Sequence, residues 1–179
     1  MLHKPKHVLS SRQGLTPLCM VITLFSLLCL PLLLSADEPF APWVELTPDG
    51  KSMAQQKKVP TKAEVGIPAY PKGFIADIAS MEDKQSGQMI PVIHMVSPDD
   101  VETVRAFYQT ELQKIPGWKW DEIFEAFYVG DSYEEALAQL KPYMEITAVT
   151  ADSDRLKQVE PSVKSTLKSW IQIVCSPKK

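Results

Sequence analysis

The sequence predicts an α+β fold: a mainly antiparallel sheet of four to five strands, with one main helix and one or two short helices packed on it. Three observations predict it. Two apolar runs, 74–79 and 89–96, flank a polar turn. A capped segment with helical spacing follows at 97–115, and strand-like runs return at 118–130, 143–150 and 168–175.

Phe74-Ile75-Ala76-Asp77-Ile78-Ala79 reads as a strand, and Gly87 marks the turn before the next one. Met89 to Val96 is apolar at both parities, which places it under cover on both faces. Pro91 lacks an amide donor and argues for an edge or a bulge within that run. The two runs form a hairpin. Ser97 is a capping residue and Pro98 suits a first helical position; Asp99 and Asp100 complement the positive helix end. Val101, Val104, Phe107, Tyr108, Leu112 and Ile115 then follow one helical face, and Pro116-Gly117 stops the helix. Residues 118–130 hold five aromatics, Trp118, Trp120, Phe124, Phe127 and Tyr128, and read as one strand or two short ones. On a continuous strand Trp118, Trp120 and Phe124 share a face and Phe127 takes the other. Ser132 with Glu135 is a capping box that starts a short helix over 133–140, with Ala136, Leu137 and Leu140 inward and Pro142 as its stop. Tyr143 to Thr150 alternates as a strand. Leu156, Val159, Val163 and Leu167 keep helical spacing, interrupted by Pro161; Lys168 to Cys175 is the last strand.

The 179 residues are unevenly composed, although the chain as a whole is 45% hydrophobic with a formal charge of −3. Residues 1–36 contain 11 leucines and no acidic residue. Lys4, Lys6 and Arg12 precede the uncharged run Leu15–Leu34, and Leu34-Ser35-Ala36 precedes Asp37. This is the layout of a secretory signal peptide cleaved after Ala36. The alternative is an uncleaved membrane anchor, since the run has enough residues to span a bilayer. Cys19 and Cys29 lie inside the apolar run, without the small-residue context of a lipidated cysteine. Either way the remainder works outside the cytoplasmic membrane, periplasmic or secreted. The expected organisation is a signal peptide at 1–36, a Pro-rich extended lead-in at 37–71 and one α+β domain at 72–179. Trp43 and Val44 are the lead-in residues expected to dock on the domain.

Residues 37–179 carry 16 basic and 22 acidic side chains, a charge of −6, which argues against nucleic acid as a partner. They contain one cysteine, Cys175, and one histidine, His94. That inventory excludes an internal disulfide and a structural zinc site. A Ser-His-Asp site would have to use His94, and no nucleophile-elbow motif accompanies it. His94 reads as a strand histidine hydrogen-bonded at a sheet face. Cys175 reads as a small buried hydrophobe. No Gly-rich phosphate loop is present. No cofactor, metal or catalytic residue is therefore assigned.

Tyr70-Pro71-Lys72-Gly73, Phe107-Tyr108, Leu112 and Gly117-Trp118 carry a resemblance. Over residues 66–120 the chain resembles a loose family of small, largely uncharacterised exported bacterial domains. These have a Tyr-Pro-Gly opening, a helix after a Ser/Asp-Pro turn, a Phe-Tyr pair and a Gly-Trp exit. Here Lys72 separates Pro71 from Gly73, and residues 121–142 exceed that pattern. The resemblance implies an exported α+β domain and brings no catalytic residues.

The acidic group Asp121, Glu122, Glu125, Asp131, Glu134 and Glu135 reads as a solvated face, and the neighbouring aromatics as core. Exposed together, Trp118, Trp120, Asp121, Glu122 and Glu125 would form a partner-binding patch. The functional expectation is a non-catalytic exported domain that binds a protein or envelope component. The alternative is a carrier for a small apolar ligand or lipid, with the apolar sheet face as its pocket. A hydrolase comes third.

Overall fold

A computed structural model describes residues 38–175 apart from Gln85. The apolar run Leu15–Leu34 and the cleavage site after Ala36 lie outside the described residues. Among those described, no helix is long and apolar enough to cross a membrane.

The sheet has six strands, all antiparallel: β1 (Phe74–Asp83), β2 (Gln88–Ser97), β3 (Trp118–Asp121), β4 (Ala126–Val129), β5 (Tyr143–Ala148) and β6 (Ser169–Val174). Their order is β1-β2-β6-β5-β4-β3, so the last strand in sequence lies in the middle. The sixth strand arises because the aromatic segment 118–130 divides. Its two halves pair as a hairpin in which Trp120 opposes Phe127. The turn between them resets the side-chain parity. Trp118, Trp120 and Phe127 consequently share one face, and Phe124 crosses to the other, contrary to the alternation of a continuous strand.

The main helix, Val101–Leu112, begins later than Ser97-Pro98 suggests. Ser97 still pairs with Ser169 in the sheet, and Asp100 is the cap, its carboxylate accepting from the Thr103 amide at 2.8 Å. The helix buries Val104, Tyr108 and Leu112 against Ile93, Met95, Phe127, Met144, Ile146, Ile171 and Ile173 on one sheet face. Gly73 permits a close approach there: a Cβ on it would lie 2.6 Å from Met95 Cε. Asp99, just before the helix, accepts from the Tyr70 hydroxyl at 2.5 Å and from Lys72 Nζ at 3.2 Å. These bonds hold the Asp99 carboxyl below the usual carboxylate range, and burial with the carboxylate neighbour pushes the Tyr70 hydroxyl up to about 12.

The proline-rich lead-in is more regular than its composition suggests. Two short helices, Pro48–Ala54 and Lys62–Val65, are capped by Thr47 and Thr61, the second through a full capping box with Glu64. Phe40, Ala41, Val65, Ile67 and Tyr70 join the helix-covered core. Val44 and Leu46 join a second core on the opposite face, with Ala76, Val96, Leu156, Val159, Leu167 and Trp170. Trp43 packs against both. The later segment forms a 3₁₀ turn at Asp154–Leu156 and a short helix at Pro161–Lys164. Pro161 opens that helix rather than breaking one, as suits its preset φ.

A third core lies at the other end of this second face, under the helix Tyr133–Ala138, with Ile90, Val92, Ala126, Tyr143 and Val174. Ser132 caps the helix, but Glu135 returns its carboxylate to the Asp131 amide instead of the cap amide. Ala136 is inward as expected, whereas Leu137 is exposed, because the helix ends after two turns and turns only a narrow stripe inward. Pro91 lies where β2 outruns β6, whose pairing with β2 starts at Val92. Pro91 is thus neither on an edge strand nor at a bulge: its carbonyl accepts from Cys175, and its missing amide falls on the same β6 side, where only the reciprocal bond at the end of the pairing is forgone.

Ile171 is fully buried at the sheet centre. Ile171→Ala should cost about 2–5 kcal/mol in denaturant unfolding, whereas Met89→Ala on the exposed hairpin should change stability by less than about 0.5 kcal/mol.

Candidate functional site

Strand registry builds one row of side chains across the second sheet face: Asp77 opposite His94, His94 opposite Gln172, and Gln172 opposite Glu145. The row separates the two small cores of that face. It is closely satisfied. Lys57 pairs with Asp77, whose other carboxylate oxygen lies 3.8 Å from His94 Nδ1. Gln172 stands opposite His94 in register, its Nε2 donates to the Tyr143 hydroxyl at 3.3 Å, and Tyr133 donates to Glu145. The Trp170 ring lies 5.1 Å from the His94 ring, and the Arg155 guanidinium sits 5.5 Å from the Trp170 ring centre. A cleft of about 370 Å³ opens beside this group, lined in part by Lys57, Asp77, His94, Arg155, Gln158 and Trp170. Burial lowers the His94 pKa against the opposing pull of Asp77. The row holds no serine, threonine or cysteine nucleophile beside His94. Among the described residues, no cluster of potential metal ligands is present.

The second candidate is the β3–β4 turn at the other end of the sheet. Asp121 accepts from the amides of Ile123 at 2.9 Å and Phe124 at 3.0 Å, which locks the turn from inside. Glu125 takes a left-handed conformation, φ 49°, uncommon for a residue with a side chain. It is held by Arg105 of the main helix, which donates from Nη2 to Glu125 at 3.0 Å and from Nη1 to Glu102 at 3.0 Å. Arg105 also lies 5.3 Å from the Trp120 ring centre, its side chain only 13% exposed. The turn so fastened presents Ile123, 87% exposed, and Phe124, 46% exposed, the latter with one flank on Tyr133 at 5.0 Å.

The residues expected as a patch therefore separate by role. Trp118 and Trp120 are partly buried against the helix and Phe127, where they line a small crevice. Asp121 spends its carboxylate on the turn, Glu125 is paired with Arg105, and Glu122 is exposed beside Ile123. Ile123 and Phe124 are the residues sequence reasoning missed. The available signal was Asp121 two residues before the apolar pair Ile123-Phe124, with a break in alternation.

The chain matches no known protein-family model, no curated protein and no solved structure.

The His94 pKa is lowered in the fold from its ordinary 6.5. Below that value the unfolded chain takes up a proton that folded His94 resists, so stability should fall as pH drops through 6.5 toward the folded value. Urea midpoints at successive pH values should show this decline, and His94→Gln should flatten it. An unchanged slope in the variant would count against the assignment.

Proposed function

We propose that this protein is a non-catalytic exported domain that binds a protein of the cell envelope through the β3–β4 turn. The observation that carries this reading is Ile123, 87% exposed on a turn whose backbone is held by Asp121 and by the Arg105–Glu125 pair. A large apolar side chain on a rigid support loses little entropy on binding, which is the economy of an interaction hot spot. Phe124 adds aromatic surface, and Glu122 sets an acidic rim that suits a partner with basic residues around an apolar socket.

Export rests on the N-terminal pattern: basic residues, the run Leu15–Leu34 and the Ser35-Ala36 exit. The carrier reading comes second because the apolar sheet face is filled by the main helix and the lead-in. A hydrolase comes third because the row around His94 consists of Asp77, Gln172 and Glu145, with no serine, threonine or cysteine among them.

Three outcomes test the proposal. The exported protein should begin at Asp37; an earlier first residue would overturn cleavage after Ala36. A photo-crosslinking side chain at 123 should trap a discrete envelope-protein adduct that Phe124→Ser abolishes. Ile123→Ser should weaken the same complex while changing stability by no more than about 0.5 kcal/mol. Crosslinking at 123 no stronger than at exposed Lys51 would overturn the assignment of the turn.

A further inference from the structure

The outer edge of β1 is divided in two by a bulge. On the N-terminal side, Ile75 turns its backbone away from β2: its amide donates to Pro42 at 2.7 Å and its carbonyl accepts from Val44 at 2.8 Å. The lead-in thus covers the edge there. Pairing shifts by one residue between Ile75 and Asp77. Beyond the bulge, outward groups belong to the partners of β2 residues that point toward β6. Pro91 is such a residue, since its carbonyl accepts from Cys175, and Ile93 follows at the same parity. Their partners on β1 are Ser80 and Ile78, and Glu82 opposite Met89 continues the series. The amides and carbonyls of Ile78, Ser80 and Glu82 therefore point away from the sheet. Among the described residues, no backbone hydrogen bond reaches them.

A groove of about 420 Å³ runs beside this open edge. Its floor includes Ile78, Met89, Pro91 and Cys175; Lys57, Lys58 and Pro60 of the lead-in form the facing wall. Lys57 is spent on Asp77. Lys58 is 80% exposed and forms a loose ion pair at 3.6 Å with Glu64, which also lines the groove, so an incoming carboxylate would compete with Glu64 for Lys58. Beyond the bulge the outward positions carry neither lysine nor proline, so Glu82 at the far end is the one charged side chain among them and the Ile78–Ser80 stretch is open to strand addition.

We propose that the β1 edge from Ile78 to Glu82 takes an extended segment of a partner protein as a seventh strand. The segment has apolar residues at alternate positions and a carboxylate that meets Lys58. Backbone groups of the segment pair with Ile78, Ser80 and Glu82, and alternate side chains enter the groove. Charge selects this occupant. A second copy pairing antiparallel about Ser80 would oppose Asp77 to Asp83, a like-charge pair across strands. A segment bearing a carboxylate gains Lys58 and avoids that repulsion. This site lies on the opposite sheet edge from the β3–β4 turn and stands whether or not the turn binds a partner.

The experiment uses the full chain and an acetylated octapeptide of alternating valine and threonine with a terminal glutamate, followed by amide NMR and hydrogen exchange. Without peptide, the amides of Ile78, Ser80 and Glu82 should exchange faster than those of Ala79 and Met81, which face β2. The peptide should shift and protect those three amides. Ser80→Pro removes one outward donor and no β1–β2 bond, so it should weaken binding about fivefold or more at unchanged melting temperature. Ser80→Thr should bind as the parent does, and Lys58→Glu should weaken binding. Protection of all five amides without peptide, peptide shifts confined to groove side chains, self-association through β1, or binding indifferent to Ser80→Pro would each overturn the proposal. None of these readouts depends on Ile123 or Phe124.

Discussion

The structure depends on the register of β6 between β2 and β5. Trp170, Gln172 and Val174 pair with Val96, His94 and Val92 on one side, and with Thr147, Glu145 and Tyr143 on the other. That alignment sends Ile171 and Ile173 to the helix-covered core and the other three to the second face. A slip by one residue would drive Gln172 into the apolar core and bring Ile171 and Ile173 onto a polar row. Each side of the sheet thus reinforces the same alignment. β6 is also the last strand among the described residues, so the sheet becomes continuous only when Ser169–Val174 is inserted.

The second face illustrates how polar groups persist inside a small domain. Asp77, His94, Gln172 and Glu145 stand between two apolar clusters, and each has a side-chain partner in or beside the row. These four groups are half-buried, and a row linked from strand to strand satisfies its members within the sheet. The arrangement divides what would be one broad apolar face into two modest cores, each closed by a short helix or turn. The lead-in closes one of them, so residues 38–71 belong to the packed structure despite their prolines.

The two sheet edges are finished differently. On the β3 side a hairpin turn is fastened by Asp121 and by Arg105, and it carries apolar side chains outward. On the β1 side the lead-in covers Ile75, and a bulge re-aims the backbone beyond it. The bulge has a clear geometric consequence: it moves the outward groups from odd to even positions, onto Ile78, Ser80 and Glu82. It thereby separates an edge used for internal packing from an edge whose backbone groups face outward.

Much of the fold was legible in the residues. Both hairpin strands, the main helix with its Val104–Tyr108–Leu112 stripe, the Ser132 cap and the last two strands follow from local period and capping chemistry, because those signals act over a few residues. Helix boundaries were less legible: Ser97 and Asp100 are both good caps, and only the pairing of Ser97 with Ser169 decides between them. The parity of Phe124 and Phe127 could not be read, since it depends on where a strand breaks, and Asp121 determines that by binding amides in the turn. The candidate sites were the least legible part. Asp77, His94, Gln172 and Glu145 come from four strands and share a row only through register, and Arg105 reaches Glu125 across a helix–sheet contact. The sequence by itself determined the α+β class, the main elements, the single histidine and cysteine, and the scarcity of catalytic options. Tertiary structure alone decided which edge is open, which apolar residues are presented and which polar groups meet, because those depend on strand order and pairing between residues distant along the chain.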